Sequence, residues 1–72
     1  MKRGDFVEIE CDGEKKKAMI VLASDNAVSL MVMFNGMFCG YVGMMALLRQ
    51  DGVYVDLYQH KPMKVEKINE RR

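Results

Sequence analysis

The reading of the fold turns on NAVSLMVMFNGMFCGYVGMMALL, running from Asn26 to Leu48. This stretch holds no charged residue, in a chain that is 29% Asp, Glu, Lys and Arg, and it carries five of the eight methionines and three of the six glycines. As a helix it is long enough to cross the roughly 30 Å of a bilayer's hydrocarbon core. Gly36 and Gly40 have the spacing of a helix-dimerisation face. Three observations argue against a membrane span. Asn35 and Gly36 fall near its middle, with Gly40 and Gly43 close behind; its first half alternates with the period of a strand; and neither end has an aromatic belt or a basic cluster. A span here would also leave the short strands on either side without partners. The segment is therefore expected to be the middle of a small sheet protein.

Working outward, VSLMVMF sets Val28, Leu30, Val32 and Phe34 on one face and Ser29, Met31 and Met33 on the other. Asn35-Gly36 then reads as a type I′ hairpin turn, because both positions tolerate positive φ. Before it, KAMIVLAS is apolar on both faces, with Ala18, Ile20 and Leu22 opposite Met19, Val21 and Ala23, and Ser24-Asp25-Asn26 makes the turn between the two strands. Nearer the start, FVEIEC places Val7, Ile9 and Cys11 inward and Phe6, Glu8 and Glu10 outward. Asp12-Gly13 marks the turn that follows, and Lys15-Lys16-Lys17 reads as a solvated strand entry.

The second half is less regular. GYVGMMALLRQ reads either as a strand with a bulge at Gly43 or as a strand running into one helical turn over Met44 to Leu48. Asp51-Gly52 is a further hairpin signal, and VYVDLY alternates Val53, Val55 and Leu57 with Tyr54, Asp56 and Tyr58. Gln59-His60-Lys61-Pro62 is a polar turn. MKVEKI forms a last strand with Met63 and Val65 inward, and Ile68 is out of phase, so the strand is expected to end or bulge near Lys67. The tail Asn69-Glu70-Arg71-Arg72 is expected to fray. Five or six short strands with turns about every ten residues predict one all-β domain over residues 1–72, a small closed barrel or sandwich.

Composition narrows the function classes. Half the 72 residues are hydrophobic, which excludes a disordered tail. A net charge of +1 gives no bias toward polyanions. Cys11 and Cys39 are the only cysteines and His60 the only histidine, too few in sequence for a zinc motif. The opening MKRGDFVEIE lacks the apolar run of a signal peptide, so a cytoplasmic protein with two free thiols is expected. Gly36, Gly40 and Gly43 form neither a dinucleotide fingerprint nor a phosphate loop. His60 lies in a polar turn, Ser24 and Ser29 have no histidine nearby, and the acidic residues are scattered. No catalytic residue, cofactor or metal site is expected, and the chain reads as a non-enzyme.

Two resemblances add to this. Gly4, Asp5, Val7 and Ile9 in GDFVEIECDGEKKKAMIVLA resemble the start of Src-homology-3-like barrels of the KOW type, although Lys17 and Ala18 stand where those motifs carry a second glycine. The stretch VLASDNAVSLMVMFNGMFCGYVGMMALLRQDGVYVDL is similar to a group of small uncharacterised bacterial proteins, some carried on mobile gene cassettes. That resemblance implies a compact β-barrel and brings no activity with it.

The expected function is interaction. With Ala18, Ile20, Leu22, Val28, Leu30, Val32 and Phe34 in the core, Met19, Val21, Met31 and Met33 are left on the outside. A small soluble monomer rarely exposes a contiguous apolar patch, and methionine suits adaptable contacts. A homodimer is expected, formed through the edge of the Met31–Met33 strand or by stacking of the methionine faces. The competing outcome is that a carboxy-terminal segment covers this face as a second core layer. A nucleic-acid-binding barrel is the alternative, with Lys15, Lys16, Lys17, Lys64 and Lys67 as contacts and Arg71 and Arg72 beyond them, diluted by Glu14, Glu66 and Glu70.

Overall fold

The computed structural model describes residues 1–68; the tail expected to fray, with Arg71 and Arg72, lies outside them. Six antiparallel strands follow one another: β1 (Phe6–Cys11), β2 (Glu14–Ala23), β3 (Ser29–Phe38), β4 (Tyr41–Gln50), β5 (Val53–Asp56) and β6 (Pro62–Ile68). Each pairs with the next, and β6 pairs back onto β1 to close a barrel. The all-β small barrel expected from the sequence is the observed architecture, and the described residues contain no helix. Closure leaves Leu30 to Met33 of β3 hydrogen-bonded between β2 and β4, so the part of the strand that carries Met31 and Met33 has no free edge for a second copy to pair with.

Local sequence explains the connections. Asp12-Gly13 and Asp51-Gly52 both turn with positive φ at the two positions (53° and 83°, 53° and 81°), as a type I′ hairpin requires. The third tight hairpin is not at Asn35-Gly36. It is at Cys39-Gly40, with φ of 51° and 85°, while β3 runs unbroken through Asn35 and Gly36. Gly36 (φ 81°) instead serves an irregularity in which β3 advances from Met33 to Met37 while β4 retreats only from Met44 to Val42. Gly43 (φ 81°) is the β4 side of that bulge, and Met44 to Leu48 continue as strand with no helical turn.

The core contains Val7, Ile9, Cys11, Ala18, Ile20, Leu30, Val32, Phe34, Phe38, Met45, Leu47, Tyr54 and Met63. Phe34 and Phe38 meet edge to face, with ring centroids 6.1 Å apart. Two residues expected there are outside. Leu22 is 56% exposed because the β2–β3 register slips at Val21, pairing Ile20 with Val32 but Leu22 with Met31. One extra residue reverses the alternation, so Ala23 packs on the core in its place. Val28 is exposed because it precedes β3, in a turn closed by Ser24 Oγ accepting the amides of Val28 and Ser29. At the other end of the chain, β6 reaches Ile68 without a bulge, in register from Glu10–Lys64 to Phe6–Ile68.

Candidate functional site

Register assembles the outer face from scattered residues. Ile68 pairs with Phe6, Phe6 with Met19, Met19 with Met33 and Met33 with Met44, so one apolar row crosses five strands from β6 to β4. Met33 is 45% and Met44 44% exposed, and the flanking pair Met37 and Val42 is more open still, at 68% and 71%. An open groove of about 590 Å³ runs along this row, with Phe6, Met19, Met33, Val42 and Met44 in its walls. A second row pairs Leu22 with Met31 and Met31 with Ala46, and Leu57 joins it by donating its amide to the Ala46 carbonyl.

Of the expected interface residues, Met19 and Met33 are direct neighbours, and Met31 lies in the second row. Val21 is set apart at the β2 bulge, beside Arg3 and Gly4 of the amino-terminal segment. That segment is bound to β2 through the Gly4 amide on the Ile20 carbonyl and the Ile20 amide on the Asp5 carbonyl. Phe6, Ile68, Met44, Met37, Val42 and Leu22 do not stand out in the sequence as members of this face, because pairing across strands, not proximity along the chain, brings them together. Among the described residues no carboxy-terminal segment covers the row: β6 is part of the barrel wall.

The lysines are distributed differently. Lys15 and Lys17 face outward opposite Glu10 and Glu8, whereas Lys16 pairs with the inward residue Ile9 at the barrel rim. Strand alternation therefore splits the three-lysine run between two faces. Lys64 is the other neighbour of Glu10 and lies 3.8 Å from Glu66, and Lys67 reaches Asp5 at 3.7 Å. Lys15, Lys17 and Lys64 on the outer wall thus each have a carboxylate close by, as does Lys67, which pairs with the inward residue Val7.

A polar cluster occupies one mouth of the barrel. In an antiparallel meander the β1–β2, β3–β4 and β5–β6 connections all emerge at the same end, which puts Cys11, Asp12, Cys39 and the loop 57–61 together. Asp56 is fully buried, and its carboxylate accepts the Tyr41 hydroxyl, the Gln59 amide and the Lys61 amide, the last at 2.6 Å. Burial by itself pushes the Asp56 carboxyl up, but the Tyr41 hydroxyl and the two amides outweigh it and hold it below its ordinary range. Burial, then the bond to Asp56, pushes the Tyr41 phenol up to about 12. Tyr58 packs edge-on against Tyr41 with centroids 6.5 Å apart.

Beside this loop the Sγ atoms of Cys11 and Cys39 and an Asp12 carboxylate oxygen all lie within 4.8 Å of one another. The Cys39 thiol points at the Cys11 carbonyl, 3.7 Å away, and Lys61 Nζ sits 3.2 Å from Asp12 Oδ2. Burial, reinforced by the neighbouring Cys39 thiol, raises the Cys11 thiol to about 12. His60 is exposed in the 57–61 loop, its amide bonded to the Asp56 carbonyl, and Ser24 is occupied as a turn cap. No helix in the described residues is long and apolar enough to cross a membrane. No family model, curated protein or solved structure matches the chain.

Proposed function

We propose that the chain is a non-enzymatic interaction module that self-associates as a two-fold dimer through the outer face of β2, β3 and β4. The observation that carries this reading is the unbroken apolar row Ile68–Phe6–Met19–Met33–Met44, with the half-open methionines at its centre. A two-fold contact lets such a row pack against itself, and a chain of 72 residues gains proportionately from the added burial. The closed barrel favours stacking of faces over edge pairing. Free thiols at Cys11 and Cys39 fit a reducing, cytoplasmic setting. Kinship with small bacterial barrel proteins, some borne on mobile gene cassettes, rests on the segments quoted from the sequence.

The test is size exclusion coupled to light scattering. Met33 and Met44 are 45% and 44% exposed, so each contributes about 1 kcal/mol when buried at the contact, before the entropy of association is subtracted. Replacing Met33 and Met44 with Lys removes two from each side, so the mass should fall from dimer to monomer while the far-ultraviolet β spectrum is retained. A native protein that runs as a monomer at all concentrations overturns the reading. Nucleic-acid binding through Lys15, Lys16, Lys17, Lys64 and Lys67 is the alternative, and titration with labelled oligonucleotides separates the two.

A further inference from the structure

We propose that Cys11, Asp12 and Cys39 form a binding site for a thiophilic divalent cation of the zinc class, with Lys61 as its charge-compensating neighbour. The three donor atoms come from two tight hairpins brought to one mouth by the meander, and they lie within 4.8 Å of one another. A tetrahedral ion with bonds of about 2.3 Å to sulfur and about 2.1 Å to oxygen holds its ligands about 3.4–3.8 Å apart. The cluster therefore needs to close by at most about an ångström to reach that spacing. Cys39 and Asp12 both belong to turns, and Asp12 is exposed while Cys39 is half-buried, so neither is locked in the core.

The donor set selects the ion. Two sulfurs and one carboxylate suit zinc-like ions, whereas calcium and magnesium require all-oxygen cages. Two thiolates, one carboxylate and a divalent ion sum to a single negative charge, which the Lys61 ammonium on Asp12 offsets. Lys61 is itself held, because its amide is bonded to the buried Asp56. A bare disulfide between the cysteines would give the carboxylate and the lysine no role, and the Cys39 thiol is aimed at the Cys11 carbonyl. Three protein ligands leave the fourth tetrahedral position, on the solvent side at Asp12, to water or a small exchangeable ligand. Binding displaces the two thiol protons to solvent, so no oxidant or reductant is involved.

The experiment titrates the reduced full-length chain with cobalt(II), then displaces it with zinc. One equivalent per chain should give a thiolate-to-cobalt charge-transfer band with tetrahedral visible bands, and zinc should abolish both. Cys39→Ser, which leaves the buried Cys11 in place, should lose most of the charge-transfer intensity. Asp12→Asn should keep that intensity with weakened affinity, and Lys61→Met should weaken affinity by about 10–100-fold, as loss of a supporting contact does. Circular dichroism checks that each variant is folded. Alkylation of the native protein gives a reading that needs no variant: zinc should protect Cys39 from the reagent. Absence of the cobalt bands, bands unchanged in Cys39→Ser, or Cys39 alkylated equally with and without zinc overturns the proposal. So does a reduced protein that binds no metal but forms a Cys11–Cys39 disulfide with oxidised glutathione, which would make the pair a redox couple.

Discussion

The outer face of β2–β4 and the mouth beneath it are built in opposite ways. The face is repetition: apolar residues recur at alternate positions of adjacent strands, and register lines them up into rows such as Phe6–Met19–Met33–Met44. The mouth is convergence, with a few polar groups from three connections meeting around Asp56, Tyr41, Cys11, Cys39 and Lys61. A repeated row tolerates the loss of any one member, because its neighbours still cover the same area. A convergent cluster does not, because a buried acceptor or donor left alone keeps its full desolvation cost. Face variants should accordingly change assembly and spare the fold, and mouth variants should do the reverse.

The sharpest test of where the face begins is inside one strand. Ile20 and Leu22 are two residues apart on β2, and simple alternation assigns both to the core, yet Ile20 is fully buried and Leu22 is half out in solvent. Ile20→Ala should cost about 2–5 kcal/mol of unfolding free energy through lost transfer and a cavity. Leu22→Ala should stay within about 0.5 kcal/mol. Denaturant midpoints of the two variants decide it. Equal losses would mean that the bulge at Val21 is absent and that the second apolar row belongs to the core.

That pair also marks how far the sequence can be read. Strict alternation with no insertion, as in Phe6 to Cys11, identifies Val7, Ile9 and Cys11 as core and leaves Phe6 outside. Asp12-Gly13 and Asp51-Gly52 are legible as hairpins because both residues of each tolerate positive φ. The same tolerance misleads at Asn35-Gly36: a dipeptide able to adopt positive φ serves a bulge, here through Gly36 alone, as well as a turn, and local sequence does not choose between them. The true turn places Cys39, a residue with no turn preference, at φ 51°. Its position is set by where β3 and β4 can pair, which is tertiary information. The mouth is illegible for the same reason, since its contacts join residues as far apart as Asp12 and Lys61. Two cysteines and an aspartate with no motif spacing become a cluster only once the barrel is closed.

Within the mouth, Asp56 should matter most. Asp56→Ala strands the Tyr41 hydroxyl and the amides of Gln59 and Lys61, and an expected loss on the order of 3 kcal/mol follows from leaving such groups unpaired. Tyr41→Phe removes one charge-assisted bond and should cost about 1.5 kcal/mol. The pH dependence carries a sign that distinguishes this from a generic packing defect. The native Asp56 pKa lies below its unfolded value, so its stabilisation is complete above about pH 4 and drains as pH falls through the native value. Tyr41 is displaced upward to about 12, so its contribution is complete below the ordinary tyrosine range near 10 and is lost as pH rises toward 12. Chemical denaturation across pH should show the acid limb flattened in Asp56→Asn and the alkaline limb flattened in Tyr41→Phe. A native profile without either limb contradicts the buried pair. Light scattering should show both variants keeping the native mass.

A small effect is expected on the charged wall beside the methionine row, where Lys15, Lys17 and Lys64 lie on the same outward face as Phe6 and Met19. Lys17 faces Glu8, which in turn faces Glu66; Lys15 faces Glu10, which in turn faces Lys64. Such exposed pairs are worth about 0–1 kcal/mol each, and they give the wall a field of mixed sign and no basic stripe. In Lys15→Glu/Lys17→Glu the reversed charges face Glu10 and Glu8, two new like-charge pairs beside the Glu8–Glu66 pair already present, and like charges directly opposite one another cost about 0.2–1 kcal/mol per pair. The variant should therefore lose about 1 kcal/mol at low salt, less as salt screens the pairs, and should keep the native mass. Titration of labelled RNA and DNA oligonucleotides supplies the functional half of the experiment. The proposed interaction module predicts no saturable binding by the native protein even at low salt. Binding that weakens steeply with salt, and that the double reversal abolishes, would instead make the charged wall the working surface and the methionine row its support.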